Sequence, residues 1–278
     1  MTRFWVRDGM VDAELAGVSV LDHGFTVGDG VFETILVRDG SPFALTRHLD
    51  RLQRSAAGLG ITAPAERDVR EAVDAVVAGS EVSTNFARLR ITVTSGAGPV
   101  GSDRGDAGPT LVVTMTAATP WPATTTLATV RWTRNERSAT AGLKTTSYAE
   151  NAIALAFAKE QGASEAVLAD TLGRLSECTG SNVFVVVDGE VLTPSLDTGC
   201  LAGVTRELVI ECSGVVGGVR EAHLPYAVLR SADEVFITSS TRDVHPVVRV
   251  DDRTLDAGRV TARLAREFAR RARTELDP

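Results

Sequence analysis

Apolar positions recur along this chain with two periods, and the switches between them lay out its elements. Residues 4–6 and 31–37 are short β-rich runs. Each leads into an Asp-Gly pair, Asp8-Gly9 and Asp39-Gly40, a strong short signal for a hairpin turn. Over 31–37, alternation sends Phe32, Thr34 and Leu36 to one face and Glu33, Ile35 and Val37 to the other. A helical period then takes over. Leu49, Leu52, Ala56 and Leu59 line one face of a helix for which Thr46 is the expected N-cap, and Val69, Val73, Val76 and Val77 do the same over 65–77. Strands follow at 87–94 and 110–116. Between them, glycines at 96, 98, 101 and 105 are too dense for an element interior, so this stretch reads as a mobile loop of the kind that borders sites.

The stretch 117–124, with Pro120 and Pro122, reads as a linker between an N-terminal domain, 1–116, and a larger domain, 125–278. Beyond it a strand is predicted at 127–132. Ser147-x-x-Glu150 forms a capping box opening an alanine-rich helix to about Gln161. Short strands are predicted at 165–169, 183–187 and 234–238, and helices at 204–211 and 260–276. No internal repeat is evident. The mixture predicts a two-domain α+β or mixed α/β protein.

Composition narrows the chemistry. Hydrophobic residues at 44% and charged residues at 23% describe an ordinary globular chain, and 278 residues suffice for a large core. A net charge of −7 disfavours nucleic acid and anionic membrane as partners. No apolar run approaches the roughly 20 residues of a membrane span, and the first ten residues lack a signal-peptide core, so a cytoplasmic location is expected. Cys178, Cys200 and Cys212 are odd in number without C-x-x-C spacing. His23, His48, His223 and His245 are scattered, so no metal site is expected.

Only two lysines, Lys144 and Lys159, stand against 27 arginines (29 basic residues less two). A guanidinium stays protonated in proteins, whereas a primary amine can lose its proton, attack a carbonyl and form a Schiff base. Lys144 lies in Gly142-Leu143-Lys144-Thr145-Thr146, a short polar segment just ahead of the predicted helix start. A free lysine at pH 7 is a neutral amine about once in 2,500, a deficit of roughly 4 to 5 kcal/mol. An aldehyde cofactor removes that deficit, because the imine is then the resting state.

Pyridoxal phosphate would need an anion site, a partner for its ring nitrogen and a dry wall for its ring. Gly203-Val204-Thr205 opens a predicted helix whose free N–H groups favour an anion, Ser239-Ser240-Thr241 ends a predicted strand, and Arg51 could complete the cradle with a forked contact. Glu177, expected after an apolar strand and before a turn-rich run, could keep a pyridine nitrogen protonated.

In this order the motifs resemble those of the class IV pyridoxal-phosphate enzymes, a group that includes branched-chain aminotransferase, D-amino-acid aminotransferase and 4-amino-4-deoxychorismate lyase. The carriers are G-D-G-V-F-E at 28–33, H-L-D-R-L at 48–52, G-L-K at 142–144, S-E-C-T-G-S-N-V-F at 176–184, L-A-G-V-T-R at 201–206 and S-S-T-R-D-V-H-P-V at 239–247. The resemblance implies fold type IV: a small N-terminal and a larger C-terminal α/β domain with the cofactor between them, in a homodimer. It implies that Lys144 carries the cofactor and then moves protons at the substrate Cα, and that Glu177 meets the ring nitrogen. Arg51, Val204, Thr205, Ser240 and Thr241 would hold the phosphate. Ser181 and Asn182 would lie against the cofactor, and Tyr148 would reach its phenolate oxygen.

The resemblance turns Phe32, Thr34 and Leu36 toward the substrate. D-amino-acid aminotransferases often carry tyrosine and lysine on that strand, which Phe32 and Leu36 replace here, so the substrate carboxylate needs another cation. Arg38, Arg88, Arg90 and Arg104 are available, and Arg104, in the glycine-rich loop, is the expected binder. The Y-G-T-S-x-F-E-G-I-R pattern of branched-chain aminotransferases is absent, and so is the K-H-L-N-R that commonly follows the lysine of lyases. The expectation is a transaminase moving an amino group from a D-amino acid or (R)-amine to a 2-oxo acid, with the lyase as the alternative and the branched-chain enzyme behind it.

Overall fold

The structure is a computed structural model and describes residues 2–278. The chain divides into two compact units. The first runs to Pro120 and takes in Leu143–Tyr148 and Asp277; the second comprises Trp121–Gly142 and Ala149–Leu276, with Pro278.

The first unit is an antiparallel sheet covered on one face by helices. Its elements are β1 (Arg3–Val6), β2 (Gly9–Asp12), α1 (His23–Thr26), β3 (Gly30–Arg38), β4 (Ser41–Pro42), α2 (Leu45–Leu59), α3 (Glu66–Ala78), β5 (Phe86–Thr94) and β6 (Thr110–Ala117). The strand order is β2-β1-β6-β5-β3-β4. Alternation along β3 falls as the sequence predicts: Val31, Ile35 and Val37 join Leu49, Leu52, Val69 and Val73 in the core beneath the helices. Phe32, Thr34 and Leu36 lie on the opposite face, in register with Thr92, Arg90 and Arg88 of β5. The Asp39-Gly40 turn forms with both residues at positive φ. The first hairpin turns one residue early: Gly9 pairs with Val6, and Arg7 takes the left-handed conformation.

Thr46 is not the N-cap of α2. That position is Ala44, in the left-handed region and without a side-chain cap. The Thr46 N–H and hydroxyl both donate to the carboxylate of Asp277, at 2.9 and 2.5 Å, so the acceptor for this helix start comes from the far end of the chain.

The second unit holds β7 (Thr125–Arg134), α4 (Ala149–Glu160), β8 (Glu165–Asp170), β9 (Leu175–Cys178), β10 (Asn182–Val187), β11 (Glu190–Pro194), α5 (Val204–Glu211), β12 (Val219–Ala222), β13 (Glu234–Ser239), β14 (Asp243–Val250), β15 (Arg253–Thr254) and α6 (Arg259–Thr274). The order is β12-β11-β10-β13-β14-β7-β8-β9, with β15 on β14. A pairing of β9 with β10 closes six of these strands into a ring. Leu127, Val167, Val183, Val185, Val235, Ile237 and Val247 pack together from its strands. The closing pair is Glu177 with Asn182, so Glu177 lies within β9 rather than after a strand. The Ser147 capping box does not form as expected. Helix α4 begins at Ala149, and the Ser147 hydroxyl donates to the Gly28 carbonyl at 3.0 Å. Among the described residues no helix is long and apolar enough to cross a membrane.

Candidate active site

In the first unit Lys144 is held by its backbone. The segment 144–146 runs antiparallel beside β3: Phe32 N–H donates to the Lys144 carbonyl at 3.0 Å, and Thr146 N–H donates to the Gly30 carbonyl at 2.8 Å. The Lys144 N–H donates to Ser55 Oγ of α2 at 3.2 Å. Close approach by α2 requires Gly58, because a Cβ there would meet the Leu143 methyls at 2.8 Å. With its main chain fixed on two sides, Lys144 sends its Nζ to 4.6 Å from the centroid of the Phe32 ring. Arg90 Cζ sits 3.9 Å from the same centroid, and the Tyr148 ring meets Phe32 edge-on at 5.5 Å. Lys144, Phe32, Tyr148 and Arg90 therefore form one group, with Thr34 paired to Arg90 and Leu36 to Arg88 along the same face.

Beneath that face lies a cluster of buried ionisable groups. The carboxylate of Glu33 is 0% exposed and accepts from Arg51 Nε at 2.8 Å and Nη2 at 2.6 Å. His48 Nδ1 approaches Glu33 Oε2 at 2.7 Å. Burial alone would raise the Glu33 pKa, but the charge and hydrogen bonds of Arg51, then of His48, hold it down at about 2. Burial, with the Arg51 and Lys144 charges, pushes His48 below its ordinary value despite Glu33. A neutral imidazole facing an ionised carboxylate must carry its proton on Nδ1. Arg51 is thus 5% exposed and bound to Glu33.

Arg104, the expected carboxylate binder, lies elsewhere in this unit. Its Nε and Nη2 donate to Asp29, each at 2.7 Å, and Nη1 and Nη2 donate to the Gly60 and Leu59 carbonyls. It ties the glycine-rich loop to Asp29 and to the end of α2.

The second unit brings together Glu177, Asn182 and the entry to α5. Glu177 Oε1 lies 3.0 Å from Arg134 Nε, and Oε2 accepts the Leu201 N–H at 3.0 Å. Arg134 Nη2 donates to Asn151 Oδ1, and Asn151 Nδ2 donates to the Thr179 carbonyl, each at 2.8 Å, which steadies the chain on the far side of Glu177. Asn182 Nδ2 donates to the Leu201 carbonyl at 2.8 Å. Gly203, the N-cap of α5, sits so close to Asn182 that a Cβ would fall 1.9 Å from Asn182 Oδ1. No side chain caps this helix, and Val204 and Thr205 are buried at its first turn. Their N–H groups are the donors that a helix start leaves without intrahelical partners.

Ser181 spends its hydroxyl on Glu165 Oε1 at 2.8 Å, and Glu165 pairs with Arg242 Nε at 3.0 Å. Arg242 in turn packs 3.5 Å from the Trp121 ring centroid. Ser240 and Thr241 occupy the turn between β13 and β14, which the Arg242 N–H closes on the Ser239 carbonyl at 3.1 Å. Thr238, paired across the sheet with Asn182, is 1% exposed, and its Oγ1 has no hydrogen-bond partner.

Each unit by itself holds groups of the kind a phosphorylated aldehyde needs: in the second, an uncapped buried helix start and an unpartnered buried hydroxyl that would suit an anion and a carboxylate that would suit a ring nitrogen, and in the first, a primary amine against an aromatic ring. Four contributors were not identified from the sequence: Glu33, His48, Arg134 and the Leu201 N–H. Two left traces, Glu33 in the alternation over 31–37 and His48 in its i, i+3 spacing to Arg51.

Residues 30–250 match the family model described as amino-transferase class IV, and the chain belongs to that family. Class IV aminotransferases use pyridoxal phosphate, the cofactor that the sequence motifs imply. Among similar proteins, a putative branched-chain-amino-acid aminotransferase of Methanocaldococcus jannaschii is 32% identical over 275 residues, 96% of this chain and 95% of that one. A D-alanine aminotransferase of Listeria monocytogenes is 31% identical over 283 residues, 95% and 93% of the two chains. An aminodeoxychorismate lyase of Bacillus subtilis is 28% identical over 257 residues, 89% and 86%. The crystal structure of a branched-chain aminotransferase from Thermoproteus uzoniensis with norvaline superposes with a TM-score of 0.91 at 27% identity, covering 97% of this chain and 94% of that one. The expected fold type IV architecture is met.

Proposed function

We propose that this class IV enzyme is a transaminase that moves an amino group from a D-amino acid, or an (R)-amine, to a 2-oxo acid. The observation that carries the reading is the shared Phe32 ring, with the Lys144 amine on it and the Arg90 guanidinium beside it. A transaminase must hold a carboxylate next to the amine that moves its Cα proton, and Arg90 is a cation placed on the same Phe32 ring as the Lys144 amine. The carboxylate role expected of Arg104 passes to Arg90 in this reading, because Arg104 is engaged by Asp29 and two carbonyls. Similarity to a D-alanine aminotransferase supports the D-amino acid side of the assignment, and the Gly28-Asp29-Gly30 motif, which D-amino-acid aminotransferases and the lyase share, weighs against the branched-chain enzyme.

Bound to the enzyme, the cofactor supplies an aldehyde for Lys144 and a ring that withdraws electrons from the substrate Cα. With the cofactor bound, Lys144 would take the substrate Cα proton and return it to the carbon that had been the cofactor's aldehyde. Phe32 keeps water from that amine, and Tyr148 steadies the ring edge. Arg90 orients the substrate carboxylate. Glu177 would hold a proton on the ring nitrogen, and Arg51, Val204, Thr205, Ser240 and Thr241 would each be phosphate ligands. The reading includes a cytoplasmic homodimer, and Leu15, Val20, Phe25 and Val100 offer exposed apolar surface on the first unit for such an association.

A side-by-side assay of the cofactor-loaded protein tests the reading. D-alanine with 2-oxoglutarate is expected to yield glutamate. L-leucine with 2-oxoglutarate and aminodeoxychorismate alone are expected to give far slower turnover. 4-Aminobenzoate from aminodeoxychorismate without glutamate from D-alanine would replace the transaminase by a lyase, and preferred use of L-leucine would replace it by a branched-chain aminotransferase.

A further inference from the structure

Arg51 has five N–H donors, and Glu33 takes two of them, one from Nε and one from Nη2. That fork fixes the guanidinium plane and leaves the opposite edge, Nη1 and the outer N–H of Nη2, directed by Glu33 rather than by the flexible arginine stem. Glu33 is held in turn. His48 lies one helical turn before Arg51 on α2, and its Nδ1 meets Glu33 Oε2, the oxygen that Arg51 Nη2 also uses. One turn beyond Arg51 on the same helix, Ser55 takes the Lys144 N–H. Along β3, Phe32 flanks the Lys144 amine from one face, and the next residue, Glu33, grips Arg51 from the other. The strand therefore couples the position of Arg51 to that of Lys144.

We infer that Glu33, supported by His48, is a positioning residue for the cofactor phosphate: it aims Arg51, so that affinity for the phosphate group depends on a carboxylate that touches neither cofactor nor substrate. This rests on the reading of Arg51 as a phosphate ligand. A buried acid serving only to neutralise Arg51 would support the fold and bind cofactor analogues with and without phosphate alike. An aiming role acts on the phosphate alone.

The test compares pyridoxal phosphate with pyridoxal, which lacks the phosphate, as ligands of the full chain stripped of cofactor, each followed by its absorbance on binding. Glu33→Gln leaves a buried guanidinium without its counter-ion and can fail to fold, so the decisive variant is Glu33→Asp. It keeps the charge but withdraws the carboxylate by about 1.5 Å, too far to hold Arg51 by both nitrogens and His48 together. Its affinity for pyridoxal phosphate should fall by about tenfold or more, the loss of one charge-assisted hydrogen bond, with pyridoxal affinity within about twofold of wild type. Equal weakening of both ligands, or of neither, would overturn the inference. Arg51→Lys separates the two levels. If it removes the preference for pyridoxal phosphate over pyridoxal while Glu33→Asp does not, Arg51 binds phosphate without being aimed by Glu33. If it leaves the preference intact, the phosphate reading of Arg51 itself fails.

Discussion

The two units hold their functional residues by different physical means. The first buries full charges directly behind the strand that carries Phe32: Glu33, His48 and Arg51 are 0, 1 and 5% exposed. The second presents mostly dipoles, namely the N–H groups at the start of α5 and the hydroxyls of Thr205, Ser240 and Thr241, and leaves Glu177 partly open at the seam of a closed sheet. Charges in a dry interior are rigid and costly to disturb, because removing one strands its partner. Dipoles at a helix start are cheap to disturb and lose their value mainly when an anion is to be bound. The first unit should therefore answer substitution in stability, and the second in function.

The largest effect expected lies outside that contrast and sets its scale. Lys144→Ala should cut turnover by about 10³-fold or more, since the amine proposed to carry the cofactor and to move the proton is lost. Its fold should persist, because Lys144 is held in place through its backbone. Normal multiple turnover in this variant, measured with any amino donor, would end the assignment.

The contrast itself is sharpened by one pair of variants. Glu33→Gln should cost about 3 to 5 kcal/mol of stability by denaturant unfolding, the penalty for leaving a buried charge unpaired. Glu177→Gln should cost about 1 kcal/mol or less, because Glu177 and Arg134 both retain some contact with solvent. The Glu177 variant should instead slow turnover by about 10²-fold, as the ring nitrogen would lose the anionic partner proposed for it. Similar stability losses in the two variants would erase the distinction between the units.

What the sequence revealed followed period and local chemistry. Alternation over 31–37 placed Glu33 on the side that proves to be the core, and the spacing of His48 and Arg51 put both on one face of α2. Neither pattern showed that the three would meet as a buried charge cluster, because only the packing of α2 on β3 brings them together. The same limit applies to the Asp277 carboxylate at the start of α2, 231 residues from Thr46, and to Arg134 beside Glu177 on another strand. Arg104 shows the converse. Its glycine-rich loop was legible as a loop, but the ion pair with Asp29 that occupies its guanidinium depends on the loop folding back over the end of α2.

A third prediction compares two arginines within the first unit. Arg104→Gln releases Asp29 and the Leu59 and Gly60 carbonyls at the surface of the first unit, and should cost about 1 kcal/mol. Arg90→Gln should leave stability within about that amount yet raise KM for carboxylate-bearing donors by about tenfold or more, with (R)-amines that lack a carboxylate little affected. Finding the KM effect in the Arg104 variant and not in the Arg90 variant would return the carboxylate role to the loop.

The smallest effect tests the charge cluster without cutting it. His48 is held below its ordinary pKa in the folded chain, so the unfolded chain binds its proton more readily. The stability this provides is complete above the unfolded value near 6.5 and is lost as pH falls through that value toward the folded one. Glu33, held at about 2 against an ordinary 4.5, adds a second loss that begins as pH drops below 4.5 and amounts to about 3 kcal/mol once both values are passed. Stability of the wild-type chain should therefore decline in two stages on acidification, the first beginning as pH falls below about 6.5. His245 in the second unit is also held low, by burial first and then by Arg242, and contributes to the same first stage. His48→Gln and His245→Gln should each lower stability at pH 8 and flatten the first stage; His245→Gln should leave the second unchanged, while His48→Gln, which removes one of the groups that hold Glu33 down, should reduce it. Unfolding free energies at pH 8, 6 and 5 decide the matter: a His48→Gln slope as steep as wild type would mean that folding does not lower the His48 pKa, and a steeper one that His48 is charged in the fold, with Glu33 balanced by two cations rather than one.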